Sequence, residues 1–217
     1  MREQLMRHFR TIESELAVGE RTLTLLHPVS AEDLIDEDAF EEDERLPYWA
    51  DIWPSARVLA AHVAAQRGAG RSLLELGCGA GLVATAAVLA GFRVCATDYY
   101  EEALQFTTVN VATNTGCIPE TRLADWRAFP TDLGRFDVVV GSDVLYERQY
   151  GQLVARAVDV LLTRGGEAWI ADPGRIAAGD FVQDAGKRGL AVVEQRRIPF
   201  AEGSIRQQIT LFGLRRA

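Results

Sequence analysis

From Ser72 onward, short apolar runs alternate with amphipathic stretches. Ser72 to Leu76 reads as a buried strand, and Leu82 to Leu89 as a helix with Leu82, Ala86 and Leu89 on one face. Phe92 to Thr97 predicts a second strand, Glu101 to Thr113 a second helix, and Thr121 to Ala124 a short third strand. The β-branched run Phe136 to Val140 predicts a fourth strand. Glu147 to Leu162 places Tyr150, Leu153, Val154, Ala157 and Leu161 on one helical face, with Gly165 and Gly166 as the stop. Then come a strand over Glu167 to Ala171, a helix over Ile176 to Arg188, and strands over Leu190 to Ile198 and Gln207 to Leu214. With no helix between them, the last two strands form an antiparallel hairpin, because a parallel pair needs a crossover. The alternation predicts an open α/β sheet with helices on both faces.

The first seventy residues follow another pattern. Arg2 to Leu16 is expected as a helix, and Thr22 to Leu26 as a short strand stopped by His27-Pro28. Trp53 to Gln66 forms a helix that Pro54 starts well, with Ala56, Leu59, Ala60 and Val63 aligned. Residues 1–52 are expected as a small N-terminal extension and residues 53–217 as the main domain.

Composition narrows the class. The 217 residues are 48% hydrophobic and 25% charged, the balance of an ordinary globular domain. The 31 acids and 23 bases give −8, but nine of those acids lie between Glu32 and Glu44. Without that segment the balance is 22 acids to 23 bases, so no basic stripe announces a nucleic-acid partner. The segment itself is expected as a solvated face rather than a docking site for a basic peptide. The three cysteines and three histidines are scattered, which argues against metal sites and disulfides and points to the cytoplasm. No stretch suits a membrane span, and the N-terminus lacks the apolar core of a signal peptide.

The densest chemical signal is Glu75-Leu76-Gly77-Cys78-Gly79-Ala80-Gly81, where a buried strand becomes a helix. Glycines there permit positive φ and close backbone approach to a ligand. Asp98 ends the next strand 21 residues after Gly77, the distance expected of an acid that grips ribose hydroxyls. The spacing G-x-G-x-G differs from the dinucleotide pattern G-x-G-x-x-G, which weighs against a dehydrogenase.

This pattern resembles the first two motifs of the seven-β-strand methyltransferases that use S-adenosylmethionine, a resemblance that implies an α/β, Rossmann-like fold with a mostly parallel seven-stranded sheet. Pro47-Tyr48-Trp49-Ala50-Asp51-Ile52-Trp53-Pro54 resembles the entrance segment of the electron-transfer-flavoprotein β-subunit lysine methyltransferases, and Asp172-Pro173-Gly174-Arg175 matches their DPGR motif. Gly141-Ser142-Asp143-Val144-Leu145-Tyr146 is similar to the D-x-x-Y signature of the wider protein-lysine methyltransferases. Ser55-Ala56 after Pro54, and Ser142 in place of a glycine, depart from the flavoprotein-directed pattern.

The resemblance implies S-adenosylmethionine contacts from Trp53, Glu75, Gly77, Cys78, Gly79, Gly81, Asp98, Asp125, Trp126 and Ser142. Asp125 and Trp126 stand where such enzymes hold adenine, although Trp126 equally suits core packing. Asp143 and Tyr146 flank the methyl-transfer site, and Tyr48, Trp49 and Arg175 face the substrate. For Asp143 the competing reading is an N-cap of the helix beginning near Glu147. Arg175 either pairs with an acid on the substrate, caps a helix or stays in solvent. The implied activity is transfer of methyl to lysines of a protein substrate. The alternatives are a small-molecule N- or O-methyltransferase and a non-catalytic cofactor-binding module.

Overall fold

The computed structural model describes residues 1–34, 46–130 and 132–216. Most of the acidic segment, from residue 35 to 44, lies outside the described residues.

The chain opens with helix α1 (Arg2–His8), strands β1 (Thr11–Val18) and β2 (Arg21–Pro28), and helix α2 (Pro54–Ala64). It continues through β3 (Ser72–Leu76), α3 (Leu82–Leu89), β4 (Arg93–Asp98), α4 (Glu101–Thr115), β5 (Glu120–Leu123) and β6 (Phe136–Ser142). It ends with α5 (Arg148–Leu161), β7 (Leu162–Asp172), α6 (Ala178–Lys187), β8 (Leu190–Glu202) and β9 (Ile205–Arg216). Strands β3 to β9 form one sheet in the order β5-β4-β3-β6-β7-β9-β8. The first five are parallel, and β9 runs antiparallel to both β7 and β8, as the missing crossover requires.

The twofold period of the strands sorts side chains into two layers. Leu73, Val138, Val140 and Trp169 face one layer with α2 and α3, whereas Leu74, Leu76, Val139 and Ile170 face the other with α5 and α6. Burying one such leucine contributes about 2–3 kcal/mol, so a register slip of one residue is strongly disfavoured.

Three local expectations are corrected. The helix from Arg2 stops at His8, and Thr11–Val18 is a strand paired with β2. Alternation buries Leu16 and Val18 on one side, and Gly19 supplies a positive φ of 59° for the tight turn. Gly165 and Gly166 do not stop α5. They lie inside β7 beside a register shift, where a Cβ on Gly166 would sit 2.9 Å from the Leu162 side chain. Asp143 does not cap α5. Glu147 holds that position, and no side chain caps it.

Candidate active site

The C-terminal ends of β3, β4 and β6 open onto a cleft of about 290 Å³. Every residue expected to contact cofactor or substrate or to flank the methyl-transfer site lines it except Gly81. Gly77, Gly79 and Gly81 all have positive φ, at 67°, 52° and 83°. A Cβ on Gly81 would lie 2.8 Å from Thr107 on α4, so this glycine lets the loop press against that helix.

The loop is held from several sides. The Cys78 amide donates to the Thr97 carbonyl at 2.9 Å, and the Thr107 hydroxyl donates to the Gly79 carbonyl at 3.0 Å. Thr107 also lies 3.2 Å from the Cys78 thiol, whose pKa burial raises well above the ordinary value. Asn110 donates to the Ala80 carbonyl at 2.8 Å.

Asp98 braces the same loop. It accepts from the Gly79 amide at 2.9 Å and from the Tyr100 amide at 3.1 Å. Burial lifts its pKa to about 6, against the opposing pull of these amides. Glu75, fully buried, is raised well above the carboxylate range by burial and then by the charge of Asp98. Its Oε2 has no hydrogen-bond partner among the described residues. An ammonium or amide donor entering the cleft meets that need, and the open glycine backbone leaves room for a chain beside it. These features fit the methionine part of S-adenosylmethionine.

Aromatic rings form a continuous wall along the cleft. Trp53 meets Tyr48 at 6.1 Å between centroids, Tyr48 meets Tyr146 at 5.7 Å, Tyr146 meets Tyr150 at 4.4 Å, and Tyr150 meets Trp126 at 5.5 Å. The Trp53 indole donates to the Tyr48 carbonyl at 2.9 Å, which fixes the entrance segment. Trp126 both packs on the core beside α5 and lines the cleft, so its two readings are compatible.

Other expected residues stand differently. Trp49 is turned into the core, against Phe106 and Tyr100, with centroids 5.5 and 6.4 Å away. Asp125 is engaged by Arg127 through its amide and guanidinium, at 2.7–3.0 Å. Ser142 ends β6 at the cleft. Arg175 pairs with Asp143 at 2.8 Å and lies over the Trp53 ring. Tyr99, Tyr100 and Tyr150 line the cleft without having been singled out. Tyr99 and Tyr100 follow Asp98 directly, which was a usable signal, whereas Tyr150 read only as one apolar position of a helix.

Sheet order, glycine loop and acid-ended β4 together define the Rossmann-like fold of the S-adenosylmethionine-dependent methyltransferases. Two solved structures illustrate the match. Magnesium protoporphyrin IX methyltransferase from Synechocystis PCC 6803, with bound S-adenosylmethionine, superposes with a TM-score of 0.62 at 16% identity, covering 85% of this chain and 94% of that one. Ribosomal protein L11 methylase from Lactobacillus delbrueckii subsp. bulgaricus gives a TM-score of 0.56 at 18% identity, covering 75% and 77%.

Within that class the chain belongs to the lysine methyltransferase family, whose model matches residues 36–173. The mouse protein-lysine methyltransferase METTL21E is 33% identical over 116 residues, covering 48% of this chain and 47% of that protein. The mouse electron transfer flavoprotein beta subunit lysine methyltransferase is 32% identical over 133 residues, covering 59% and 51%. The chain thus spans about half the length of these curated relatives. Among the described residues no helix is long and apolar enough to cross a membrane, and no cluster of potential metal ligands occurs.

Proposed function

We propose that this protein transfers a methyl group from S-adenosylmethionine to a lysine side chain of a protein substrate. The observation that carries the reading is the aromatic wall of Trp53, Tyr48 and Tyr146, which shares one cleft with Asp143 and the glycine loop. Family membership supports the same acceptor class. The dispersed cysteines support a cytoplasmic location.

When bound, S-adenosylmethionine supplies an electrophilic methyl on a positively charged sulfur. Gly77 and Gly79 would give its amino-acid end room, Glu75 would accept from its ammonium, and Asp98 would accept from the ribose hydroxyls. Trp126 walls the adenine side. Tyr48, Trp53 and Tyr146 line the lysine approach and strip water from it, which favours the neutral amine. Asp143 orients an N–H of that amine so its lone pair faces the methyl carbon. The contribution of these residues would be chiefly to position the amine toward the methyl group of the cofactor.

Incubation with tritiated S-adenosylmethionine and a proteome extract tests the reading. The expected result is label on a small set of proteins, recovered as methyl-lysine after hydrolysis. Label confined to small molecules, or to other side chains, overturns it.

A further inference from the structure

Two carboxylates and one guanidinium meet where β6 and β7 end side by side. Ser142 pairs with Ala171, and the Asp143 amide donates to the Ala171 carbonyl at 2.9 Å, so Asp143 and Asp172 are neighbours. Asp172 is fully buried, and its Oδ1 accepts from the amides of Gly174 and Arg175 at 2.7 and 2.8 Å. That turn sends the Arg175 side chain back over Trp53, 5.4 Å from the ring centroid. From there its Nε donates to Asp143 Oδ1 at 2.8 Å, and its Nη2 lies 2.8 Å from the same oxygen as an ion pair. Asp143 Oδ2 is buried and has no partner among the described residues. Asp143 also holds a φ of 56°, a conformation that non-glycine residues adopt at some cost.

The cleft as a whole is acidic. Asp172 from β7 lies beside Asp143, and Tyr146 and Glu147 from the segment after β6 and Asp51 from the entrance line the same cleft. Glu75, Asp98 and Asp125 face the cleft from the other strand ends. Among the described residues lining it, Arg175 is the one cation. A bare carboxylate within about 4–6 Å of a lysine favours the ammonium, whose nitrogen has no lone pair to donate. A carboxylate that directs the amine therefore faces a conflict, because its charge also holds the amine as the ammonium.

We propose that Arg175 resolves this conflict as a charge-setting positioning residue, rather than as a contact for an acid on the substrate. It neutralises Asp143 through Oδ1 and leaves Oδ2 to accept one N–H of the incoming amine. Asp172 acts through Arg175, because its turn fixes where the guanidinium lies. The ammonium first loses a proton to water. The nitrogen lone pair then forms the N–C bond as the C–S bond breaks, and that bond's electron pair stays on sulfur. The products are a methylated ammonium and S-adenosylhomocysteine. This inference rests on the lysine-methyltransferase reading.

The test follows the rate of tritium transfer from S-adenosylmethionine into the extract protein that the wild type labels most strongly, as a function of pH. Arg175→Gln leaves Asp143 uncompensated. Its rising limb should move up by about one pH unit, with about a tenfold lower rate near neutrality that recovers at higher pH. Its half-saturating acceptor concentration should fall, because the ammonium is held more tightly. Asp143→Asn, which tolerates the positive φ, leaves Arg175 uncompensated and should move the limb of its residual activity down. Affinity for S-adenosylhomocysteine, measured by calorimetry, should stay within about twofold in both variants, since Arg175 acts on the acceptor side. Should Arg175→Gln fail to fold, the downward shift in Asp143→Asn carries the test. An unmoved limb in either folded variant overturns the proposal while leaving the methyltransferase reading intact. A wild type that labels no protein lysine overturns both.

Discussion

Asp98 braces the glycine loop, and in its proposed contact with ribose the same side chain takes on the opposite pH signature. Burial raises its pKa from the ordinary 3.8 to about 6. The folded chain thus holds this proton more tightly than the unfolded chain, and the stability contributed by Asp98 declines as pH rises from about 4 through about 6. The proposed contact with the cofactor ribose should run the other way, because it calls for the ionised carboxylate as acceptor of two hydroxyls. Affinity for S-adenosylmethionine, followed by calorimetry, should rise about tenfold between pH 5 and pH 7. Asp98→Asn should bind at least about tenfold more weakly at neutral pH and lose this slope. Asp143 makes a second residue-scale prediction. With Glu147 at the N-cap of α5, a capping role no longer competes with an orienting one. Asp143→Asn should leave the melting temperature nearly unchanged while slowing turnover about a hundredfold, the effect of losing about 3 kcal/mol of transition-state positioning.

Between elements, α4 holds the N-terminal hairpin through two asparagines one helical turn apart. Asn110 accepts from the Leu26 amide at 2.8 Å and donates to the Leu26 carbonyl at 2.7 Å, and Asn114 does the same for Thr24 at 3.0 and 2.8 Å. Each amide side chain presents one acceptor and one donor in a plane, so the pair stands in for a neighbouring strand along β2. Asn110 reaches further, to Ala80 in the glycine loop, and couples the hairpin to that loop. Asn110→Ala strands buried backbone groups on two segments and should cost about 2–4 kcal/mol in urea denaturation. Asn114→Ala, at a partly exposed position, should cost about 1 kcal/mol by the same measure.

At the scale of the whole molecule, ligand binding and folding are one equilibrium. S-adenosylmethionine at about a hundred times its dissociation constant should stabilise the fold by about 2.7 kcal/mol. For a chain of this size that raises the melting temperature by roughly 5–10 °C, and nicotinamide dinucleotides should leave it unmoved. Much of this architecture was legible in the chain itself. Strand alternation sorted Leu73 from Leu74, the missing crossover made β8 and β9 antiparallel, and the glycine loop with Asp98 marked the cleft. These features depend on residues a few positions apart, whose geometry the backbone imposes locally. Where local signals were weak they misled: Thr11–Val18 became a strand because β2 pairs with it, and Gly165 and Gly166 joined β7 because a bulge accommodates them. Other features have no local trace. The bond from Asn110 to Leu26 joins residues 84 apart, and that from Arg175 to Asp143 joins residues 32 apart. The sequence by itself determined which residue types reach the cleft. Only the tertiary structure decided which carboxylate meets the guanidinium, because that pairing is set by the register of β6 against β7 and the turn that Asp172 closes.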